Sequence, residues 1–264
     1  MPPARNPARG EESVNSIQEF RQAPLHLSAL ADAKWRAICG HVRHSWEVYA
    51  LLLSRPGEHS EIADLDLPRQ SVSGARCMVK GLDLLPAADR AASKGLLVAG
   101  SIHRHPGGGS WLSGTDRDLL DAMAVELASE LAVPIRVVRR PRELVVRVGE
   151  SPAVGSQLGN HLEPGVYSAA NAEIEETILG ARVYCLVWSA RDGYGGAVGN
   201  VIYDQLHGTP RRDFRYLTHI TVEQPEGKVR INHGQIKRLA GRLVKGYSYT
   251  AADPHRNRGE YVTH

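Results

Sequence analysis

One short stretch of the chain carries its most reactive chemistry: His103-Arg-His105-Pro106, then six residues, then Ser113, with Asp116 three further on. Two imidazoles and a carboxylate are three neutral or anionic N/O donors. That is the ligand set of a catalytic zinc site, whose fourth position is kept for water. His103 and His105 flank a single residue at the end of an apolar run, so on a strand both side chains point to the same side. Asp116 opens the following helix and reaches back toward that strand end. Three glycines after Pro106 let the connecting loop fold tightly over the site. A zinc-bound water also needs a base. Glu47, at the head of the apolar run Val48–Leu53, is placed for that role, while the rivals Glu58 and Glu61 fall in the turn after the run. Ser113 suits an oxyanion donor and equally fits the Ser-x-x-acid pattern of a helix cap.

Glu47-Val-Tyr-Ala-Leu-Leu-Leu followed by His103-Arg-His-Pro…Ser113-Gly-Thr-Asp116 resembles the JAMM (MPN-plus, Mov34/JAB) metalloprotease family, and matches its His-x-His-Pro-x6-Ser-x-x-Asp spacing without a gap. The resemblance covers residues 27–150 and is to a prokaryotic-type member with a C-terminal extension. It implies one catalytic zinc held by His103, His105 and Asp116, with Glu47 as general base and Ser113 as oxyanion donor. It also implies an MPN/JAB-type α/β fold, a cytidine-deaminase-like mixed sheet flanked by helices. The implied reaction is hydrolysis of a peptide or isopeptide bond after the C-terminal glycine of a ubiquitin-like protein, in deconjugation or precursor maturation. The chain departs from the family at Arg104, usually Ser or Thr, and at Ala50, usually Gly. Neither is a ligand or the base, so they bear on substrate choice. Two alternatives stand beside this reading. One is a zinc peptidase processing a sulfur-carrier-like protein or peptides without conjugation. The other is an inactive MPN-type scaffold, which a missing ligand would favour; here none is missing.

The elements around these residues follow from periodicity. Leu27, Ala31, Trp35, Ile38 and Val42 recur at spacings of three and four behind Ser28, which predicts a capped amphipathic helix. Val48–Leu53 reads as a buried strand closed by Arg55-Pro-Gly57. Weaker strands follow near 62–67 and 72–80, then a helix over 84–93. Leu96–Ile102 reads as a central strand leading into the histidines, and Leu119, Leu120, Met123, Leu127, Ala128 and Leu131 mark the core face of the next helix. Pro134–Arg139 and Glu143–Val148 look like a strand pair. Alternation of helices and strands makes 25–150 one α/β domain. Residues 1–24 read as a flexible arm, 151–164 as a linker, 165–248 as a smaller α+β extension and 249–264 as a frayed tail. Within the extension the expected elements are strands at 182–189, 214–222 and 228–231, and a helix marked by Ile236, Leu239, Leu243 and Val244.

Composition bounds the rest. With 264 residues, 42% hydrophobic and 23% charged, the chain has the make-up of a globular protein. No apolar run approaches a membrane span and no secretory signal is visible. Cys39, Cys77 and Cys185 form no CxxC pair, so they suit a reducing cytoplasm as small buried residues. The net charge of +3 is too small to call for nucleic acid. Residues 211–246 nevertheless hold nine Lys/Arg against three Asp/Glu. Lys237, Arg238, Arg242 and Lys245 form a basic face there, either simply solvated or a docking surface for an acidic partner. Trp111 is placed to line a substrate groove or to pack locally, and His41, His44 and His59 have no ligand role left to fill.

Overall fold

Residues 17–74, 77–106, 108–148, 165–203, 209–225, 229–245 and 260–263 are described by the structure, a computed structural model. In chain order, the first part runs β1 (Leu25–Leu27), α1 (Ala29–His41), β2 (Val48–Ser54), β3 (Glu61–Ile62), β4 (Asp64–Asp66), β5 (Gln70–Val72) and β6 (Cys77–Lys80). Next come α2 (Gly81–Ala92), β7 (Leu97–Arg104), α3 (Gly114–Leu131), β8 (Val133–Val148), β9 (Gly165–Ser189) and β10 (Gly193–Tyr203). The last elements are β11 (Arg211–Tyr216), β12 (Ile220–Val222), α4 (His233–Ala240), β13 (Leu243–Lys245) and β14 (Glu260–Thr263).

The molecule is of mixed α/β class. A seven-stranded sheet runs β11-β10-β9-β7-β2-β4, with β8 pairing the first half of β9. Only β7 and β9 are parallel within it; the other pairs are antiparallel. Every residue of β2 is buried, and so is the stretch Ala181–Ser189 of β9. Strands covered on both faces read as continuous apolar runs, which is why Val48–Leu53 stands out in the sequence. Helix α1 packs on one face through Trp35 and Ile38; α3 covers the other through Leu120 and Ala124, which approach Gly199. Gly100 marks the tightest backbone approach: its φ is +149° and a Cβ there would lie 2.0 Å from the Tyr184 carbonyl oxygen. Ser28 caps α1 by accepting from the Ala31 amide at 3.1 Å, as its sequence predicts.

Several expectations need correction. The sheet crosses the expected boundary at 150, because β9 lies between β7 and β10 and its side chains share one core with β2 and α3. Described residues on both sides of 150 thus share one sheet and one core; the linker at 151–164 lies outside the described residues. The expected strand pair at 134–148 is the single strand β8, and both halves pair with β9. The strand expected over 214–222 is broken into β11 and β12, and β12 pairs parallel with β1. Residues 17–22, assigned to a flexible arm, are helical, with Phe20 only 5% exposed against Ile178 and Ile202. Within the frayed tail, Glu260–Thr263 pair with β6.

The four cations expected on one helical face are divided: Lys237 and Arg238 lie on α4, Arg242 in the turn after it and Lys245 on β13. Arg242 pairs with Asp66 at 3.0 Å and donates to the Leu67 carbonyl at 2.6 Å, while Arg90 from α2 holds the other oxygen of Asp66 at 2.7 Å. Lys34 and Lys94 clasp Asp64 in the same way. Four cations thus converge on the two carboxylates of β4 and tie α1, α2 and the turn after α4 to one sheet edge; Lys237, Arg238 and Lys245 stay exposed. Among the described residues, no helix is long and apolar enough to cross a membrane.

Because β9 and β10 supply the partner of β7, a chain ending at residue 150 is expected to show no cooperative thermal unfolding transition. A sigmoidal melt of that fragment would restore the two-unit reading.

Candidate metal centre

The centre is built where the C-terminal end of β7 meets the N-terminal end of β2. Their antiparallel register pairs Val48 with Arg104 and Tyr49 with His103, so the next residues along, Glu47 and His105, face each other just past the paired ends. The Glu47 backbone is anchored from a third side, its amide donating to the Ser73 carbonyl at 2.9 Å. Asp116 arrives from the first turn of α3, where Ser113 is the cap. Ser113 Oγ accepts from the Asp116 amide at 3.2 Å, and Asp116 Oδ2 accepts from the Ser113 amide at 2.7 Å. This reciprocal cap orients the carboxylate.

Glu47, His103 and His105 form a buried group whose ligand atoms all lie within 4.8 Å of one another, a set able to hold a metal ion. Asp116 closes on the same spot. His103 Nε2 lies 2.9 Å from His105 Nε2 and 3.2 Å from Asp116 Oδ1, and His105 Nε2 lies 3.8 Å from Asp116 Oδ2. Metal–ligand bonds of 2.0–2.1 Å in a tetrahedron place the ligand atoms about 3.3 Å apart. The His103–His105 and His103–Asp116 spacings lie near that edge, while Asp116 turns its other oxygen to His105 and stands beside the group whose atoms all lie within 4.8 Å. Asp116 Oδ1 is buried beside His103 Nε2 with no donor aligned on it. A buried carboxylate oxygen so placed fits a cation beside it.

The electrostatics describe the same crowding. Burial lowers the His103 imidazole, but the adjacent Asp116 carboxylate, with Cys185 behind it, reverses that and raises it to about 10. Burial and the His103 charge hold His105 below its ordinary value. Burial favours the neutral form of Asp116, yet the His103 imidazole beside it keeps the carboxyl low. A proton shared within this group is what a metal displaces on binding.

Glu58 and Glu61 are excluded as partners of the histidines. Both follow the far end of β2, about 20 Å away along the strand, and Glu61 pairs with Arg55 at 2.8 Å. His41 turns back to the Ala37 carbonyl and His59 stacks on Phe20, so neither joins the centre. His44 and the exposed Trp111 line a cavity of about 440 Å³ that opens beside His105, together with Arg36, Trp188 and Arg191. Its loop wall is seated closely: a Cβ on Gly195 of β10 would lie 1.8 Å from the Ser110 carbonyl oxygen. Cys39 borders this cavity, but burial pushes its thiol up to about 12, so it is no nucleophile.

Sequence reasoning took Arg104 only as bearing on substrate choice and missed its structural role. Strand alternation turns it away from the histidines and into the protein, where it is only 4% exposed. Its guanidinium donates to the carbonyls of Cys39 at 2.9 Å, Arg43 at 2.5 Å and Trp46 at 2.6 and 3.1 Å. Cys39 lies in the last turn of α1, where the helix dipole favours a cation. Arg104 thereby clamps the segment that leads into Glu47. The available signal was the alternation itself: an arginine between two residues of one face must enter the other.

Compared with protein-family models and with curated proteins, the chain matches none.

Two outcomes follow from this geometry. Purified protein is expected to hold about one equivalent of divalent metal by elemental analysis, and His103→Ala or Asp116→Ala to lose most of it. Arg104→Met is expected to keep the metal but to speed amide hydrogen exchange across residues 42–47; unchanged exchange there would remove the clamp.

Proposed function

We propose that the protein is a JAMM-type zinc hydrolase with an MPN-like fold, cleaving a peptide or isopeptide bond after the C-terminal glycine of a ubiquitin-like protein. The observation that carries this reading is that Glu47, His103 and His105 bring their ligand atoms together at one buried spot, with Asp116 of a third element beside the two histidines. A metal-binding loop of unrelated purpose has no need for a second carboxylate at the head of a different strand. The match of the motif to the JAMM spacing supports zinc as the metal and His103, His105 and Asp116 as its ligands. Zinc, when bound, supplies a Lewis acid and lowers the pKa of water toward neutrality.

The chain's own residues divide the remaining work. Glu47, 1% exposed, is the general base. It takes a proton from the attacking water and delivers it to the leaving amine. Ser113 uses an oxygen lone pair for its cap and keeps its hydroxyl proton for the developing oxyanion. The cavity beside His105, with Trp111 and Trp188 in its walls, receives the chain that leads to the scissile bond. Binding energy comes mainly from the folded body of the donor protein, so short free peptides are poor substrates.

The test is cleavage of a panel of C-terminal fusions to ubiquitin-like proteins by zinc-loaded enzyme. Wild type is expected to cut after the terminal glycine. Glu47→Gln is expected to retain zinc while turning over roughly 10²–10⁴-fold more slowly. Ser113→Ala should lower kcat more than it raises KM. No cleavage of any fusion by zinc-loaded wild type would favour a scaffold, and efficient cutting of unrelated tetrapeptides would favour a general peptidase.

A further inference from the structure

The sheet face opposite the histidines carries a second polar cluster, and what it implies does not depend on the hydrolase reading. Along β9 the side chains alternate, so Arg182 and Tyr184 lie on the face away from Val187, which pairs with His103. Register then sets Asn200 of β10 and Asp213 of β11 beside Arg182, and Arg215 one step further along the same face. Arg136 of β8 joins them through its pairing with Ile178. Arg21 comes from helical residues 17–22, whose Ile17 and Phe20 pack on this face against Ile178 and Ile202.

The charges here are not balanced. Four guanidiniums face Asp213, which is paired with Arg21 at 2.9 Å and accepts from Asn200 Nδ2 at 2.6 Å, and the buried Glu176, which has contacts of its own. Arg182 is 1% exposed; its Nη2 donates to the Ala23 carbonyl at 2.6 Å, but its Nε and Nη1 are buried with no hydrogen-bond partner. The Nε atoms of Arg136 and Arg215 are buried and unpartnered as well. Buried donors left unmet are costly, charged ones most of all. Burial, with the neighbouring Arg215 charge adding to it, holds Arg182 below its ordinary value despite Tyr184. A group of like charges this close is stable when an anion joins it.

Space for that anion is present. A cavity of about 510 Å³ opens onto the cluster, lined by Ile17, Arg21, Arg136, Phe214 and Arg215, and by Asp213, whose carboxylate Arg21 and Asn200 already engage. Guanidinium forks match the oxygens of phosphate in a bidentate way. Ile17 and Phe214 add an apolar wall, and the volume exceeds what a bare oxyanion fills.

We propose that this cavity binds a small phosphate monoester with an apolar body, its phosphate held by Arg136 and Arg215 and the positive potential reinforced by Arg21 and Arg182. The test is calorimetric titration of the full chain with phenyl phosphate and with inorganic phosphate at constant ionic strength. Saturable binding is expected, tighter for phenyl phosphate, and weakened at least tenfold by Arg136→Gln and by Arg215→Gln. Arg139→Gln, on the same strand but exposed and paired with Glu175, should leave it unchanged. In wild-type protein, phenyl phosphate should also slow amide hydrogen exchange in residues 17–22 and 211–216. Heats that no concentration saturates, or saturable binding that both substitutions leave intact, overturn the proposal. Equal affinity for the two probes overturns the apolar part and assigns the site to free phosphate.

Discussion

The candidate centre depends on the register between two antiparallel strands. Val48 opposite Arg104 and Tyr49 opposite His103 leave Glu47 and His105 facing each other just beyond the paired ends. A slip of one residue would send the histidines to the opposite face and Arg104 to theirs, because side chains alternate along a strand. Burial on both faces guards against such a slip: β2 has no exposed residue. The bulge between Leu52 and Leu53, opposite Gly100 and Val98, adjusts the far half of the pairing without disturbing the half that carries the site. Parallel pairing with β9 then fixes β7 from its other side, so the strand that presents both imidazoles has no free edge.

Around this register, charged groups sort by face and by role. His103 and His105 turn toward α3, whose capped first turn offers Asp116. Arg104 turns the other way and gathers the carbonyls that end α1 and precede Glu47. One dipeptide step thus supplies a ligand and a clamp to the same site. The acidic edge strand β4 does related work for the outer helices, with Asp64 and Asp66 each held by two cations. Buried ion pairs of this kind owe their value to geometry more than to charge alone, since desolvation offsets much of the attraction. The arginines on β8, β9 and β11 stand apart, because there cations outnumber their acidic neighbours.

The site was legible in the sequence because its parts are local. Histidines two apart, a cap three before a carboxylate and an acid heading an apolar run each declare themselves within a few residues. Rejecting Glu58 and Glu61 needed only the direction of one strand. The architecture beyond residue 150 was not legible, for the opposite reason. The pairing of β7 with β9 joins residues more than 80 apart, and no window of sequence reports it. Strand β10 is disguised by Gly193, Gly195, Gly196 and Gly199, which lower strand propensity, the last three making room for Ser110, Leu186 and Ala124. The break between β11 and β12, and the pairing of β12 with β1, are likewise decided by partners distant in the chain. Arg104 hid for a third reason: a buried arginine without a carboxylate is rare enough that its acceptors had to be seen.

The central claim is that two imidazoles and the neighbouring carboxylates make one metal site. X-ray absorption of the zinc-loaded protein addresses it directly. The account predicts four light N/O scatterers at about 2.0–2.1 Å, two of them showing the outer-shell pattern of imidazole, with that pattern lost in His105→Ala. A sulfur shell near 2.3 Å, or an imidazole signal that survives loss of His105 and of His103, would contradict it.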